Sequence, residues 1–224
     1  MVTKTNQTFH EVFSPTILET IVSQRFVDLV NEVGDTVLND ERKSSAWDFS
    51  DKLVGKVSAE IQIPISNPED KKYLADTMKK GCLNYLKFMV KTNRAYSWYK
   101  TRPSSSQQPT IDNIHIAQSW IVSQYAGEYN PWHKHSGDFS AVIYLKLPEG
   151  MEEEYKKDAK DHYPANGLIE FMYGEACDFR SDGVKFKPEI GKFLVFPSYL
   201  KHFVYPFTTK GERRSMSFNA HMKT

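Results

Sequence analysis

Cysteine is scarce in this chain: Cys82 and Cys177 are the only two in 224 residues, and neither has a CxxC partner or the usual zinc spacing. A disulfide framework is excluded, and each cysteine reads as a small core residue. An excess of one charge is missing too, since 29 lysines and arginines face 28 aspartates and glutamates. No overall field draws the chain toward an anionic membrane or a nucleic acid, and both are disfavoured as partners. Long apolar runs are also lacking, and the opening stretch MVTKTNQTFHEVF has no signal-like apolar core. The expectation is a soluble cytoplasmic protein with reduced thiols, resident in the host cytoplasm if viral.

What is present is a globular balance of 40% hydrophobic and 25% charged residues, with a 13% aromatic share that leans toward sheet. The length suits one core with helical elaborations. The expected organisation is a helical part over 1–100 that packs on the core without being independent, followed by a core over 101–224. Ser14-Pro15 reads as a helix start, followed by Ile17, Leu18, Ile21, Val22, Leu29 and Val33 at roughly helical spacing. Asn67-Pro68 repeats the device ahead of Leu74, Met78, Leu83, Leu86 and Met89. Val57 to Ile65 alternates like an edge strand. The polar connector Thr101 to Asp112 marks a boundary.

Beyond it come short runs of β-branched and aromatic residues, read as strands at 114–125, 129–135, 139–147, 167–173, 191–197, 202–206 and 214–220. That spacing points to an antiparallel sandwich or jelly roll. The charged insert Glu149 to Asn166 reads as a solvated helix or a flap over a site.

His133 and His135 flank Lys134 in an extended segment, so their imidazoles share a face and can converge on one cation while Lys134 points away. Neutral imidazole suits iron, zinc, copper or nickel, and a third donor is needed. His202 is the best candidate, because a jelly roll brings distant strands side by side. Past it, Gly211-Glu212-Arg213-Arg214-Ser215 leads into the last strand. Arg213 is placed to send a bidentate fork to the distal carboxylate of a diacid, with Ser215 on the same face and Arg214 turned outward. Trp120 and Trp132 read as core or rim packing. His10, His115, His162 and His221 read as surface or satisfied polar residues.

At this point the chain resembles the 2-oxoglutarate and iron(II)-dependent oxygenases, in particular a group common in marine phages and bacteria and related to the prolyl hydroxylases. The resemblance rests on YAGEYNPWHKHSGDFSAVIYLKLP (125–148), the strand opening at Gly167, and GKFLVFPSYLKHFVYPFTTKGERRSMSFN (191–219). It implies a mainly β protein with N-terminal helices and a double-stranded β-helix (jelly-roll, cupin-like) core. It also implies Fe(II) and 2-oxoglutarate as co-substrate, with ascorbate as an accessory reductant. The implied reaction is hydroxylation coupled to oxidative decarboxylation of 2-oxoglutarate.

The resemblance makes His133 the first metal ligand and His202 the last, and assigns Arg213 and Ser215 to the co-substrate. Tyr144 matches a tyrosine that hydrogen-bonds 2-oxoglutarate, and Tyr125 matches a pocket tyrosine. No catalytic side chain beyond the metal ligands is implied. The pattern departs where HxD becomes HxH: His135 stands in place of the aspartate, with Asp138 a lower-ranked ligand. Two other readings stay open: a three-histidine cupin-like metalloenzyme that does not use 2-oxoglutarate, and a non-catalytic jelly-roll binding module. The substrate is left as a small molecule or a protein side chain.

Overall fold

The computed structural model describes residues 15–52, 54–95, 108–155, 165–178 and 180–223. Ten strands form two antiparallel sheets that face each other. Strands β1 (Leu18–Ile21), β2 (Ala59–Gln62), β3 (Ile114–Gln124), β5 (Phe139–Lys146), β8 (Lys192–Pro197) and β10 (Arg213–Met222) make the larger one, in the order β1-β8-β5-β10-β3-β2. The smaller sheet has the order β4-β9-β6-β7, from β4 (Asn130–His133), β6 (Ile169–Met172), β7 (Gly183–Phe186) and β9 (Lys201–Val204).

Two helices cover the outer face of the larger sheet. Helix α1 (Gln24–Leu38) starts where the Ser23 side chain accepts a hydrogen bond from the Phe26 N–H, and it buries Phe26, Val27, Val30 and Val37. A short helix α2 (Glu41–Ala46) follows, capped by Asp40. Helix α3 (Pro68–Lys91) starts as Asn67-Pro68 predicts, with the Asn67 side-chain oxygen Oδ1 accepting from the N–H groups of Glu69 and Asp70. It buries Leu74, Met78, Cys82, Tyr85, Leu86 and Val90 against the sheet. Cys82 is fully buried, which pushes its thiol up to about 12 and leaves it a packing residue. Cys177 is exposed.

Strands β5 and β8 and most of β10 are therefore buried on both sides. On β10, Met216, Phe218 and Ala220 meet the helices, while Arg213, Ser215 and Ser217 face the space between the sheets. On β5 the same alternation sends Phe139, Ile143 and Leu145 to the helices and Val142 and Tyr144 to the smaller sheet's Ile169, Phe171 and Val204.

Three expectations change. Ser14 lies outside the described residues, and the segment after Pro15 is a strand rather than a helix: Leu18–Ile21 pairs antiparallel with β8, and the helix begins only after Ser23. Leu18 and Ile21, three apart, have a helix's spacing, but the open edge of β8 takes the segment as a strand and leaves Ile21 on its exposed face. The first hundred residues are thus not only helical, since they lay β1 and β2 on the two edges of the larger sheet. Strand β7, in a charged stretch with no clear alternation, was not expected. Parts of the connector 101–112 and of the insert 149–166, with His10 and His162, lie outside the described residues. Among the described residues, no helix is long and apolar enough to cross a membrane.

Candidate metal and co-substrate site

Between the sheets lies a cavity of about 110 Å3, and three histidines share its wall. His133 ends β4 and stands directly opposite His202 of β9 in the antiparallel pairing. His135 lies just past β4, in a turn tied down by its own N–H donating to the Ser198 carbonyl at 3.0 Å. The ring centroids are 4.2 Å apart for His133–His202, 4.9 Å for His133–His135 and 5.1 Å for His135–His202. One nitrogen from each falls within 4.8 Å of the others, spacing that suits one shared cation.

Hydrogen bonds choose which nitrogens are free. His133 Nδ1 lies 2.6 Å from the Pro131 carbonyl and His202 Nδ1 lies 3.0 Å from that of Leu200. A carbonyl only accepts, so each Nδ1 carries the proton and each Nε2 keeps its lone pair for a metal. Burial lowers the proton affinity of all three: His135 falls to about 4, with a further push from His133, and the deeply buried His202 goes well below its ordinary value. The trio is neutral at physiological pH, the form that ligates.

Asp138 does not join them. Its carboxylate accepts the Met222 N–H at 2.8 Å and sits 3.9 Å from His221, which fastens the start of β5 to the end of β10. Among the described residues the cluster that could hold a metal contains only the three histidines.

Arg213 and Ser215 reach the same cavity. Arg213 is 3% exposed and donates through Nη1 to Gln124 Oε1 at 3.2 Å, while its Nε has no partner. Its guanidinium carbon stands 5.2 Å from the centre of the Tyr144 ring. The Tyr144 hydroxyl is likewise buried without a partner, and burial raises its pKa against the opposing pull of Arg213. Orphaned buried polar atoms cost on the order of 1–3 kcal/mol each, so two of them together point to a ligand that completes them.

Tyr125 is not brought to this place. It is 43% exposed, and its backbone is tied to Glu128, the Tyr125 N–H donating to the carboxylate and the Tyr125 carbonyl accepting from the Glu128 N–H. Another tyrosine, Tyr155, ends the short turn Met151–Tyr155 in the charged insert. Its buried hydroxyl has no partner, burial pushes it up to about 12, and Arg213 and Tyr144 both act on its ionisation. Trp120 packs against His135 at 5.7 Å and lines the cavity, whereas Trp132 is 40% exposed and stacks outside on Phe203. His115 is exposed.

With this geometry in hand, the family described as "Putative 2OG-Fe(II) oxygenase" matches residues 118–219, a stretch that holds all three histidines, Tyr144, Arg213 and Ser215. That segment is similar to the 2OG-Fe(II) oxygenase family. Solved structures extend the likeness of fold over nearly the whole chain. A Pseudomonas putida prolyl-4-hydroxylase is 13% identical at a TM-score of 0.53, covering 94% of this chain and 95% of its own. AviO1 from Streptomyces viridochromogenes is 12% identical at 0.53, with 93% and 90% covered. HygX from Streptomyces hygroscopicus, solved with nickel, 2-oxoglutarate and hygromycin B, is 9% identical at 0.51, with 92% and 82% covered. No curated protein matches the chain by sequence.

Sequence reasoning passed over one charged residue in this cavity. Glu60 of β2 is 2% exposed, and burial, with Asp48 adding to it, raises its carboxyl to about 7. The alternation of VSAEIQIPI placed it on a polar face, but that face looks into the cavity and not into water. An unfolded glutamate titrates near its ordinary value of 4.5, so between there and about 7 the unfolded chain loses a proton that the folded chain keeps. Stability therefore falls as pH rises through that window and levels off above it. Glu60→Gln is expected to stabilise the ligand-free protein by on the order of 2 kcal/mol at pH 8 and by almost nothing at pH 4. Urea denaturation at the two pH values measures the difference.

Proposed function

We propose that this chain is a 2-oxoglutarate-dependent non-haem iron hydroxylase. Its double-stranded β-helix core, over 101–224, carries the metal on His133, His135 and His202, and residues 1–100 pack on that core. The observation that supports the reading most is that three neutral imidazoles and Arg213, its Nε unpartnered, line one cavity, with the unpartnered Tyr144 hydroxyl on a ring packed beside that guanidinium. A dicarboxylate keto acid fits that donor set: one end chelates the metal, and the other meets a guanidinium with a free N–H, a serine and two buried tyrosine hydroxyls.

Bound iron and 2-oxoglutarate supply the oxidising power, with dioxygen reduced, the keto acid oxidatively decarboxylated to succinate, and a substrate C–H bond hydroxylated. The protein's own residues do the rest. His133 and His202 are oriented by the carbonyls of Pro131 and Leu200, so the free nitrogens are preset. Arg213, Ser215, Tyr144 and Tyr155 hold the distal carboxylate. Trp120, Phe196 and Val204 make a dry wall that strengthens each of these polar contacts.

A three-histidine set carries no ligand charge, which is the one feature that favours a cupin-like metalloenzyme without the keto acid. Anaerobic addition of iron(II) and 2-oxoglutarate separates the two, because only a chelated keto acid gives the metal-to-ligand charge-transfer band. The expected result is a band whose 2-oxoglutarate Kd rises about 100-fold in Arg213→Ala, in line with about 3 kcal/mol for a lost charge-assisted pair. Iron binding without a band would hand the site to the cupin-like reading.

A further inference from the structure

The cavity has a second polar end that the iron and the keto acid leave unused. Glu60, Val122, Ser215 and Tyr144 stand in one row across β2, β3, β10 and β5. With strands about 4.8 Å apart, Glu60 lies roughly 10 Å from Ser215 and farther still from Tyr144. The row thus runs from a donor end, at Tyr144 and Arg213, to an acceptor end at Glu60.

Glu60 is not alone there. Asn130 Oδ1 is buried without a hydrogen-bond partner, and Asn130 lines the same cavity. Gly55 sits between the two: a Cβ built on it would stand 3.0 Å from Glu60 Oε1 and closer still to Asn130 Oδ1. Two oxygens are therefore gathered at a point where the backbone leaves room only because residue 55 has no side chain. Among the described residues, no hydrogen bond or ion pair reaches the Glu60 carboxylate. Lys134 borders the cavity, but it is exposed and forms no ion pair with Glu60.

A buried carboxylate beside an unpartnered amide oxygen asks for a group that brings several N–H donors and a positive charge. The walls between this pair and the histidines include Val54, Val122 and Val204, which suit a short aliphatic chain. Three residues of extended backbone separate Asn130 from His133, roughly 10 Å, so a group held at the acceptor end is recognised and not ligated to the metal.

Resting on the oxygenase reading, we infer that the substrate carries an aliphatic amine or guanidine, whose cationic head is held by Glu60 and Asn130 while its carbon chain extends toward the iron. The neutral iron ligands leave this carboxylate as the cavity's own acidic group, and Gly55 makes space for the head.

Four small probes of equal length read this directly: butylguanidine and butylamine, with uncharged butylurea and butanol as their partners. Each is titrated by calorimetry into wild-type protein, Glu60→Gln and Gly55→Ala, held anaerobically with iron(II) and 2-oxoglutarate. The cationic probes are expected to bind wild type at least 10-fold more tightly than their uncharged partners. That preference is expected to vanish in Glu60→Gln, and Gly55→Ala is expected to weaken both cations by placing a methyl against the two oxygens. Equal binding of all four, no binding by the cations, or a preference that survives Glu60→Gln overturns the inference. The charge-transfer band is recorded in the same samples. It reports the oxygenase reading alone and is expected to persist in Glu60→Gln, so failure of one is not mistaken for failure of the other.

Discussion

Alanine at position 202 is expected to weaken iron(II) binding by at least 100-fold and to eliminate the charge-transfer band with 2-oxoglutarate. His202 is 4% exposed and directly opposite His133, so its loss leaves two nitrogens of a three-nitrogen set and no nearby carboxylate to substitute. The ring also packs edge-on to Phe196 at 5.0 Å, so truncation opens a small void as well. The two effects separate in a thermal melt. Metal at 100 times its Kd stabilises the wild type by about 2.7 kcal/mol through binding to the folded state alone, and the variant should show no such rise. An unchanged rise would remove His202 from the site.

Acid should destabilise the metal-free fold along a defined path. Burial keeps the folded imidazoles unprotonated, His135 down to about 4, whereas in the unfolded chain they titrate near 6.5. Between those values the unfolded state binds more protons, so stability falls as pH drops from about 6.5 toward 4.

Much of this site was legible in the sequence because its chemistry is carried by residue types that rarely coincide. Two histidines one residue apart, a third beside a strand and an arginine two positions from a serine form a pattern that strand periodicity alone brings into one cavity. What was not legible depended on which face of a strand meets water. Arg214 was expected to point outward, yet it is 2% exposed, because helix α1 covers the face opposite the histidines and the sheet has no outward side there. Glu60 was hidden by the same ambiguity. The pocket tyrosine was assigned to Tyr125, on the segment just before the histidines. The structure leaves Tyr125 exposed, and Tyr155, from the charged insert read as a solvated helix or a flap, is the tyrosine whose buried hydroxyl lies without a partner. Alternation reports that a strand has two different faces; the packing of other elements decides what each face touches.

Arg214 carries the other large effect. Its Nε and Nη2 meet Glu212 Oε1 and Oε2 at 2.7 and 2.9 Å, a bidentate pair, and Nη2 also reaches Asp35 at 2.7 Å. Nη1 donates to the carbonyl and side-chain oxygens of Asn31, both at 3.2 Å, which pins α1 to β10. The fit is close: a Cβ on Gly34 would stand 3.1 Å from Arg214 Nη1. Burial by itself would raise the Glu212 carboxyl, but the bonds from Arg214, Ser123 and Lys146 hold it below its ordinary range. Arg214→Met would therefore strand a buried carboxylate with Ser123 and the half-exposed Lys146 as its remaining partners. The expected loss is about 3–5 kcal/mol in urea denaturation, lessened at pH 4, where Glu212 can take up a proton. Arg214→Met combined with Glu212→Leu removes the stranded charge and should recover most of the loss. A double variant as unstable as the single one would mean that the contacts to Asn31 and Asp35 dominate, and that Arg214 holds the helix more than it neutralises the glutamate.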